Sequence, residues 1–286
     1  MSISANSLIS DSINFFKNQL SGLFTIVLLA TVVSLVIYAV MIPSEQMIGV
    51  LAQAQSQMIE SGNSGLQDWI LGLSEEDKSS ILRVSFGLIL SVTFGSLFLI
   101  CGTLSYISGM SRGEDMTGLQ AITSSLNKAP SMFLLLVVCS LLIQLGITIM
   151  VLPGIVLAIG FSLAPAILIT ERTNPFSAMG KSWKMAYANW RVALPMILIW
   201  MAAQMLISLL LGNLNMNHIV INGISFLLNN VVAAFALIYF YRLYMLITKN
   251  WFIDFQLITQ SGKTTLYPAL ATTSSIERYL FIYIIF

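Results

Sequence analysis

The sequence predicts an all-α membrane protein, a bundle of about six helices that each cross a lipid bilayer. Of its 286 residues, 57% are hydrophobic and only 9% are charged, and the mean hydropathy is +0.88. A water-soluble domain carries about 25% charged residues on its surface, so most of this chain is too apolar to face water. Helices are the expected form because a helix satisfies its own backbone amides within lipid.

Charged residues divide the chain into intervals that predict six spans. A spanning helix needs about 20 apolar residues; the first two uncharged intervals hold one span each, and the last two hold two each. Pro153-Gly154 supplies the break in the third interval, since proline cannot continue a helix. A polar turn at residues 212–218 divides the fourth interval. The predicted spans are residues 20–42, 85–107, 131–150, 154–170, 192–211 and 220–241.

Positive charge lies almost entirely on one side of these spans. The connections on the side of the amino terminus hold eleven of the 13 lysines and arginines, and the connection 43–84 holds only Lys78 and Arg83. Because lysine and arginine are retained in the cytoplasm, both termini are predicted to be cytoplasmic. The outside segment 43–84 contains a helical-looking stretch at 46–60, and its last part is predicted to continue as helix into the second span.

The inside connection 174–191 predicts a cationic amphipathic helix. Asn174 followed by Pro175 is a typical helix start. At about 100° per residue, one stripe is apolar or aromatic, and it consists of Phe176, Met179, Trp183, Tyr187 and Trp190. Lys181, Lys184 and Arg191 project from the other side. Such a helix suits the anionic surface of a cytoplasmic leaflet, and the alternative is that it only packs against neighbouring helices.

The predicted spans contain amides but no ionisable residue deep within them. The amides in the membrane interior are Gln144, Gln204, Asn229 and Asn230. Amides in spans commonly form hydrogen bonds between helices, and a polar route for a solute is the alternative. Proton relays and ion-coupled transport usually need ionisable groups in the membrane, so their absence argues against those activities.

Small residues form a stripe on the second span: Gly87, Ser91, Gly95 and Gly102. Such a stripe lets two helix backbones approach closely. The expected partner is another helix of the same bundle, and a homo-oligomer is the alternative.

Composition also limits the chemistry that can be expected. The single histidine, His218, and two cysteines within apolar runs do not form a metal-ligand set. A net charge of +1 gives no basic field for nucleic acid. We find no nucleophile, acid and base together, so the sequence predicts no catalytic residue, no cofactor, no metal and a protein that is not an enzyme.

Several motifs in the same order resemble YciC-type proteins of the bacterial inner membrane. They lie at residues 1–19, 153–165, 188–195 and 241–247, and include Pro153-Gly154-Ile155 and Ala188-Asn189-Trp190-Arg191. The resemblance implies a multi-pass membrane domain of residues 1–248 in the bacterial inner membrane, and it implies no catalytic residues. We expect a protein that acts through membrane lipids or unknown envelope proteins in envelope homeostasis. A channel or transporter for a small, mostly neutral solute is the alternative.

The carboxyl-terminal residues 249–286 depart from the resemblance. Members of the family end soon after the segment that matches residues 241–247. The final eight residues here are uncharged and have high β propensity, a composition that aggregates when exposed. We expect residues 250–286 to be read-through or frameshifted sequence.

Overall fold

The structure, a computed structural model, describes residues 4–42, 75–212, 214 and 217–260. These residues form ten α-helices and one 3-10 turn. The helices are α1 (Ala5–Asn18), α2 (Leu20–Met41), α3 (Glu75–Ser111), α4 (Gly118–Ser125), α5 (Ala129–Ile149), α6 (Val151–Phe161), α7 (Ala164–Glu171), α8 (Pro175–Ala188), α9 (Trp190–Gly212) and α10 (His218–Gln260), and the 3-10 turn is Leu126–Lys128.

Six helical segments within the described residues are long and apolar enough to cross a membrane. They are Leu20–Met41, Lys78–Ser111, Gly118–Ile149, Val151–Glu171, Trp190–Gly212 and His218–Lys249. This agrees with the predicted all-α fold and its six spans. The helix expected to run into the second span is present as α3, which continues from Glu75 to Ser111. The predicted stretch at 46–60 lies outside the described residues.

Close packing of α2 against α3 forms the most extensive contact between two helices. The small residues of α3 face this contact. A Cβ atom on Gly87 would lie 2.7 Å from the Cβ of Met41, and one on Gly102 would lie 2.8 Å from the Cγ2 of Ile26. Ser91 is fully buried and donates a hydrogen bond to the carbonyl of Gly87 at 2.6 Å. The stripe on the second span therefore lies inside the bundle.

The third and fourth spans form a helical hairpin whose turn differs from the predicted one. The chain leaves helical geometry at Met150, which has φ −161° and ψ 151°. Pro153 lies in the first turn of α6, where a missing N–H costs no helical hydrogen bond. A Cβ atom on Gly154 would lie 2.9 Å from the backbone nitrogen of Ile147, so glycine serves close packing of the two arms of the hairpin.

The fourth span is two helices, α6 and α7, rather than the single helix predicted at 154–170. A turn at Ser162 and Leu163 separates them. Pro165 lies at the start of α7, where proline is favoured. Buried Ser182 of α8 supports this turn, because its hydroxyl donates to the carbonyl of Gly160 at 2.6 Å and accepts from the N–H of Leu163 at 3.2 Å.

The amphipathic helix is shorter than the predicted 174–191. Helix α8 ends at Ala188 because Asn189 leaves helical geometry with φ −123° and ψ 26°. The Asn189 side chain donates to the carbonyl of Met185 at 3.1 Å and so satisfies part of the helix end. Trp190 and Arg191 consequently belong to α9, not to α8.

Helix α10 packs beside α2 through aromatic and polar contacts. The Tyr38 ring contacts Phe226 with a centroid distance of 6.0 Å. The Asn222 amide donates to the Tyr38 hydroxyl at 2.9 Å, and that hydroxyl lies 3.3 Å from Nδ1 of His218. Further along α10, the ring of Phe235 packs edge-on against the ring of Phe16 in α1, with a centroid distance of 6.2 Å.

Candidate functional site

Two adjoining cavities of about 370 and 230 Å³ lie where α3, α4, α5 and α7 meet. They share Ser124, Lys128 and Arg172, and we call them together the cationic cavity. The larger is also lined by Asn127, Ser131, Leu168 and Thr173, and the smaller by Ser105, Ser108, Arg112, Glu114, Met116 and Ile169. Asp11, Glu171 and Arg242 lie at the same end of the bundle, which we call the charged end.

Arg172 reaches the cavity from an uncommon backbone conformation. It follows the last residue of α7 with φ 49° and ψ 41°, in the left-handed region. A helix commonly ends this way, but glycine or asparagine usually occupies the position. The side chain is exposed at the cavity. Placing a long side chain in this conformation costs of order 1 kcal/mol or more, and such strained residues are concentrated at functional sites.

Lys128 is fixed at the end of the 3-10 turn that connects α4 to α5. Its side chain is half-buried, and Nζ donates to the carbonyl of Ile169 at 2.9 Å. This hydrogen bond joins the turn to the last residues of α7. It uses one of the three protons on the ammonium group, and the other two are available to a ligand.

Arg112 is paired with the carboxylate of Glu114. Nε donates to Oε1 at 2.7 Å and Nη2 to Oε2 at 3.2 Å, while Nη1 donates to the Ser108 hydroxyl at 3.2 Å. The hydrogen bond from Arg112 holds the pKa of Glu114 below its usual range. Both groups are therefore ionised at neutral pH.

Positive charge exceeds negative charge around the cationic cavity. Its lining has three cations, Arg112, Lys128 and Arg172, and one carboxylate, Glu114. Within the described residues, neither Lys128 nor Arg172 has a carboxylate within 4.0 Å. The lining thus has a net charge of +2, which favours an anionic ligand.

The predicted lipid-facing helix has one packed side and one exposed side. Ala178, Met179, Ser182 and Ala186 are buried against neighbouring helices. Phe176 is 64% exposed, and Lys184 is also exposed. Several other residues of the predicted amphipathic helix contact neighbouring helices.

Trp183, Tyr187 and Lys181 each contact residues of neighbouring helices. The ring of Trp183 lies against Gly160 and 5.6 Å from the ring of Phe161. The Tyr187 hydroxyl donates to the carbonyl of Val156 at 2.9 Å. Lys181 forms an ion pair with Glu171, and the other carboxylate oxygen of Glu171 accepts from the Tyr244 hydroxyl at 3.2 Å.

Trp190 and Arg191 form a separate exposed group at the start of α9. The Trp190 side chain is 46% exposed. The guanidinium carbon of Arg191 lies 5.7 Å from the centroid of its ring, within the range of a cation–π contact.

The four predicted amides are dispersed and have different environments. Asn230 donates to the Thr31 hydroxyl of α2 at 3.0 Å, which is a hydrogen bond between helices. Asn229 donates to Ser225 at 3.2 Å, and its Oδ1 is buried without a partner among the described residues. Gln144 is exposed and Gln204 is half-buried. None of these four amides lines the cationic cavity.

Sequence reasoning used Arg112, Lys128 and Arg172 only as a measure of orientation. Nothing in their spacing places them together, because Arg112 and Lys128 lie at opposite ends of one connection between spans and Arg172 lies in another. The one available signal was their occurrence in short connections on the same side of the spans. The Tyr38, His218 and Asn222 contact was also missed, because none of these residues belongs to a recognisable motif.

The apolar helices and their charged end define a multi-pass, all-helical integral membrane protein. The chain belongs to the Uncharacterised protein family (UPF0259), whose model matches residues 1–246. This confirms the resemblance found in the sequence motifs. Residues after 246 lie outside the match.

Curated relatives from several bacteria match this chain over nearly their own whole length. A UPF0259 membrane protein of Photorhabdus laumondii is 40% identical over 250 residues, which cover 87% of this chain and 98% of the relative. One of Serratia proteamaculans is 36% identical over 252 residues, covering 86% and 99%. One of Yersinia pestis is 32% identical over 248 residues, covering 86% and 97%. No solved structure matches the chain.

Proposed function

We propose that this is a non-enzymatic protein of the bacterial inner membrane that acts through anionic lipids or partner proteins in envelope homeostasis. In this proposal the charged end and both termini face the cytoplasm, and the connection predicted at 43–84 faces the periplasm. The orientation rests on eleven lysines and arginines on one side against two on the other.

The observation that carries the proposal is the cationic cavity at the charged end. Its net charge of +2 would face the cytoplasmic leaflet, whose anionic lipids attract basic groups close to the membrane. Phe176 and Trp190 expose aromatic surface at the same end. Aromatic rings beside cations are suited to the boundary between headgroups and lipid tails.

A transporter for a small neutral solute is the second candidate, and one observation favours it. Oδ1 of Asn229 is buried without a partner in the described part of the chain, and a polar solute could use it. The other contacts of the amides favour a structural role, because Asn230 joins α10 to α2 and Asn229 bonds along its own helix.

Orientation is tested with single cysteines in a background in which Cys101 and Cys139 are replaced by alanine. Lys184→Cys and Glu76→Cys place exposed thiols at opposite ends of the bundle. In intact spheroplasts, a thiol reagent that cannot cross the membrane is expected to label Glu76→Cys and to spare Lys184→Cys until the cells are opened. Labelling in the reverse order would contradict the proposed orientation.

The mode of action is tested by photo-crosslinking in intact membranes. A photoreactive amino acid at Phe176 or Trp190 is expected to give reproducible adducts with lipid or with particular proteins. The matched control is Val40, which is 64% exposed near the opposite end of α2. Equal adducts from all three positions would contradict the proposal. Solute flux in liposomes that Asn229→Leu abolishes would favour the transporter instead.

A further inference from the structure

We infer that the cationic cavity binds a phosphoryl group, with Lys128 and Arg172 as its charged ligands. The inference rests on the proposed function and deepens it, because it names the chemical group through which the charged end would bind an anion. It is independent of whether Phe176 and Trp190 contact lipid or protein.

The charges of the cavity lining favour an anionic ligand. Among the described residues, Glu114 is the one carboxylate of the lining, and Arg112 binds it through two hydrogen bonds. Lys128 and Arg172 come from separate helical connections and meet at one cavity with no carboxylate of their own within 4.0 Å among the described residues. Two cations held side by side repel one another, so an anion between them lowers the free energy of the folded protein.

The hydrogen-bond donors are the second argument. Ser105 and Ser108 place side-chain hydroxyl groups in the lining of the smaller cavity. Ser131 and Thr173 add hydroxyl groups to the larger cavity. Hydroxyl donors beside an ammonium and a guanidinium group match the several acceptor oxygens of a phosphoryl group.

The backbone of Arg172 is the third argument. Its left-handed φ of 49° places a cation where glycine or asparagine would be less strained. Strained conformations concentrate at ligand sites, where the strain is part of how a side chain is positioned. The cavity volume of about 370 Å³ is within the range of roughly 300–1,000 Å³ for small-ligand sites.

The phosphoryl group could belong to an anionic phospholipid or to a free phosphate compound. Leu119 and Leu126 are more than half exposed on α4 and the 3-10 turn beside the cavity. Apolar surface next to a basic pocket suits a lipid, whose tails would cover the leucines while its headgroup enters the pocket. The experiment separates the two sources.

The experiment uses the full chain purified in a neutral detergent. One arm adds phosphatidylglycerol and measures retained lipid by native mass spectrometry, with net-neutral phosphatidylcholine as the comparison. The other arm adds inorganic phosphate or pyrophosphate and measures the melting temperature, because a ligand that binds only the native state raises it. Lys128→Gln and Arg172→Asn each remove one cation, and asparagine tolerates the left-handed backbone of Arg172.

Lys17→Gln is the matched control, because Lys17 is an exposed cation on α1 and does not line the cavity. Arg172→Lys retains the positive charge at position 172 and therefore separates the effect of charge from the effect of changing the side chain. We expect Lys128→Gln and Arg172→Asn to weaken binding of phosphatidylglycerol at least about tenfold, the usual size of a charged hydrogen bond. Lys17→Gln should remain within about threefold of the unaltered protein, a change smaller than one such bond. Arg172→Lys, which keeps the positive charge, should bind phosphatidylglycerol more tightly than Arg172→Asn does.

Each outcome decides the inference. Loss of the lipid adduct in the two cavity variants, without stabilisation by free phosphate, supports a lipid headgroup as the source. Stabilisation by phosphate that these variants abolish supports a soluble phosphate compound. Equal binding by Lys128→Gln, Arg172→Asn and Lys17→Gln overturns the inference, while specific crosslinks at Phe176 and Trp190 would leave the proposed function standing.

Discussion

At the scale of a single residue, the carboxylate of Glu114 lowers the net positive charge of the cationic cavity. Its carboxylate is held by Arg112, and that hydrogen bond lowers its pKa. Glu114→Gln should therefore raise the net charge of the lining from +2 to +3 at neutral pH. We expect the affinity for phosphatidylglycerol to rise about threefold to tenfold, as one exposed unit charge a few ångströms away would produce.

Glu76→Gln is the control for this prediction. Glu76 is an exposed acid at the start of α3, at the end of that helix opposite the cavity. The same mass-spectrometric titration measures both variants. Weaker binding by Glu114→Gln would contradict this prediction, because it would mean that Glu114 holds Arg112 in a geometry that the ligand needs.

Asn230 tests whether amides hold the bundle together. Its side chain donates to Thr31 of α2 at 3.0 Å, and Thr31 in turn donates to the carbonyl of Val27 at 2.8 Å. Asn230→Leu should lower the free energy of unfolding by about 1 kcal/mol, the usual size of a polar contact between membrane helices. Unfolding in mixed micelles of a mild detergent and sodium dodecyl sulfate measures it.

A double-mutant cycle isolates this hydrogen bond from other effects. Thr31→Val combined with Asn230→Leu should be less harmful than the sum of the two single changes. Gln144→Leu is the control, because Gln144 is exposed and a leucine there should not destabilise the bundle. Fully additive effects of Thr31→Val and Asn230→Leu would show that the contact carries no energy.

At the scale of the element, α8 supports the broken span formed by α6 and α7. The break leaves backbone groups without helical partners, and Ser182 satisfies two of them. Ser182→Ala should reduce stability by about 1–3 kcal/mol, because a buried donor and acceptor lose their partner. Ser177→Ala on the exposed side of the same helix should have little effect. Equal melting temperatures for Ser182→Ala and Ser177→Ala would contradict this role of Ser182.

The position of α4, which carries part of the cavity wall, depends on a close approach to α2. A Cβ atom on Gly118 would lie 2.5 Å from the carbonyl oxygen of Gly22, and a backbone atom cannot move aside as a flexible side chain can. Gly118→Ala should therefore displace α4 and cost about 1–3 kcal/mol. Phosphatidylglycerol binding should fall as well.

Gly180→Ala provides the control for that change. A Cβ atom on Gly180 meets nothing within 4 Å, and alanine favours helix over glycine by up to about 1 kcal/mol. This variant should be neutral or slightly stabilising in the same unfolding assay. If Gly118→Ala also unfolded normally, α4 would not depend on the close contact with Gly22.

At the scale of the whole molecule, hydropathy and charge predicted the spans because lipid constrains an entire helix at once. The break at Leu163 was missed because it depends on the tertiary contacts of Ser182. The breaks at Met150 and Asn189 lie within a few residues of their predicted positions. Pro153 was read as a turn, although proline is equally acceptable in the first turn of a helix.

The cationic cavity could not be predicted for a related reason. Lys128 and Arg172 lie in different connections, and only the packing of α7 beside the 3-10 turn brings Lys128 to the carbonyl of Ile169. A charge count locates such residues on one side of the membrane. It carries no information about which of them share a cavity.

The segment after residue 249 allows the last test. The family model matches residues 1–246, and a relative aligns over a similar length of 250 residues. The residues that line the cationic cavity all lie within residues 105–173. A chain ending at Lys249 should therefore insert into the membrane as the full chain does. It should have the same melting temperature and the same affinity for phosphatidylglycerol. Membrane fractionation, melting and native mass spectrometry compare the two forms. Better folding or localisation of the full chain would show that residues 250–286 contribute to the native protein and would contradict their expected origin as read-through sequence.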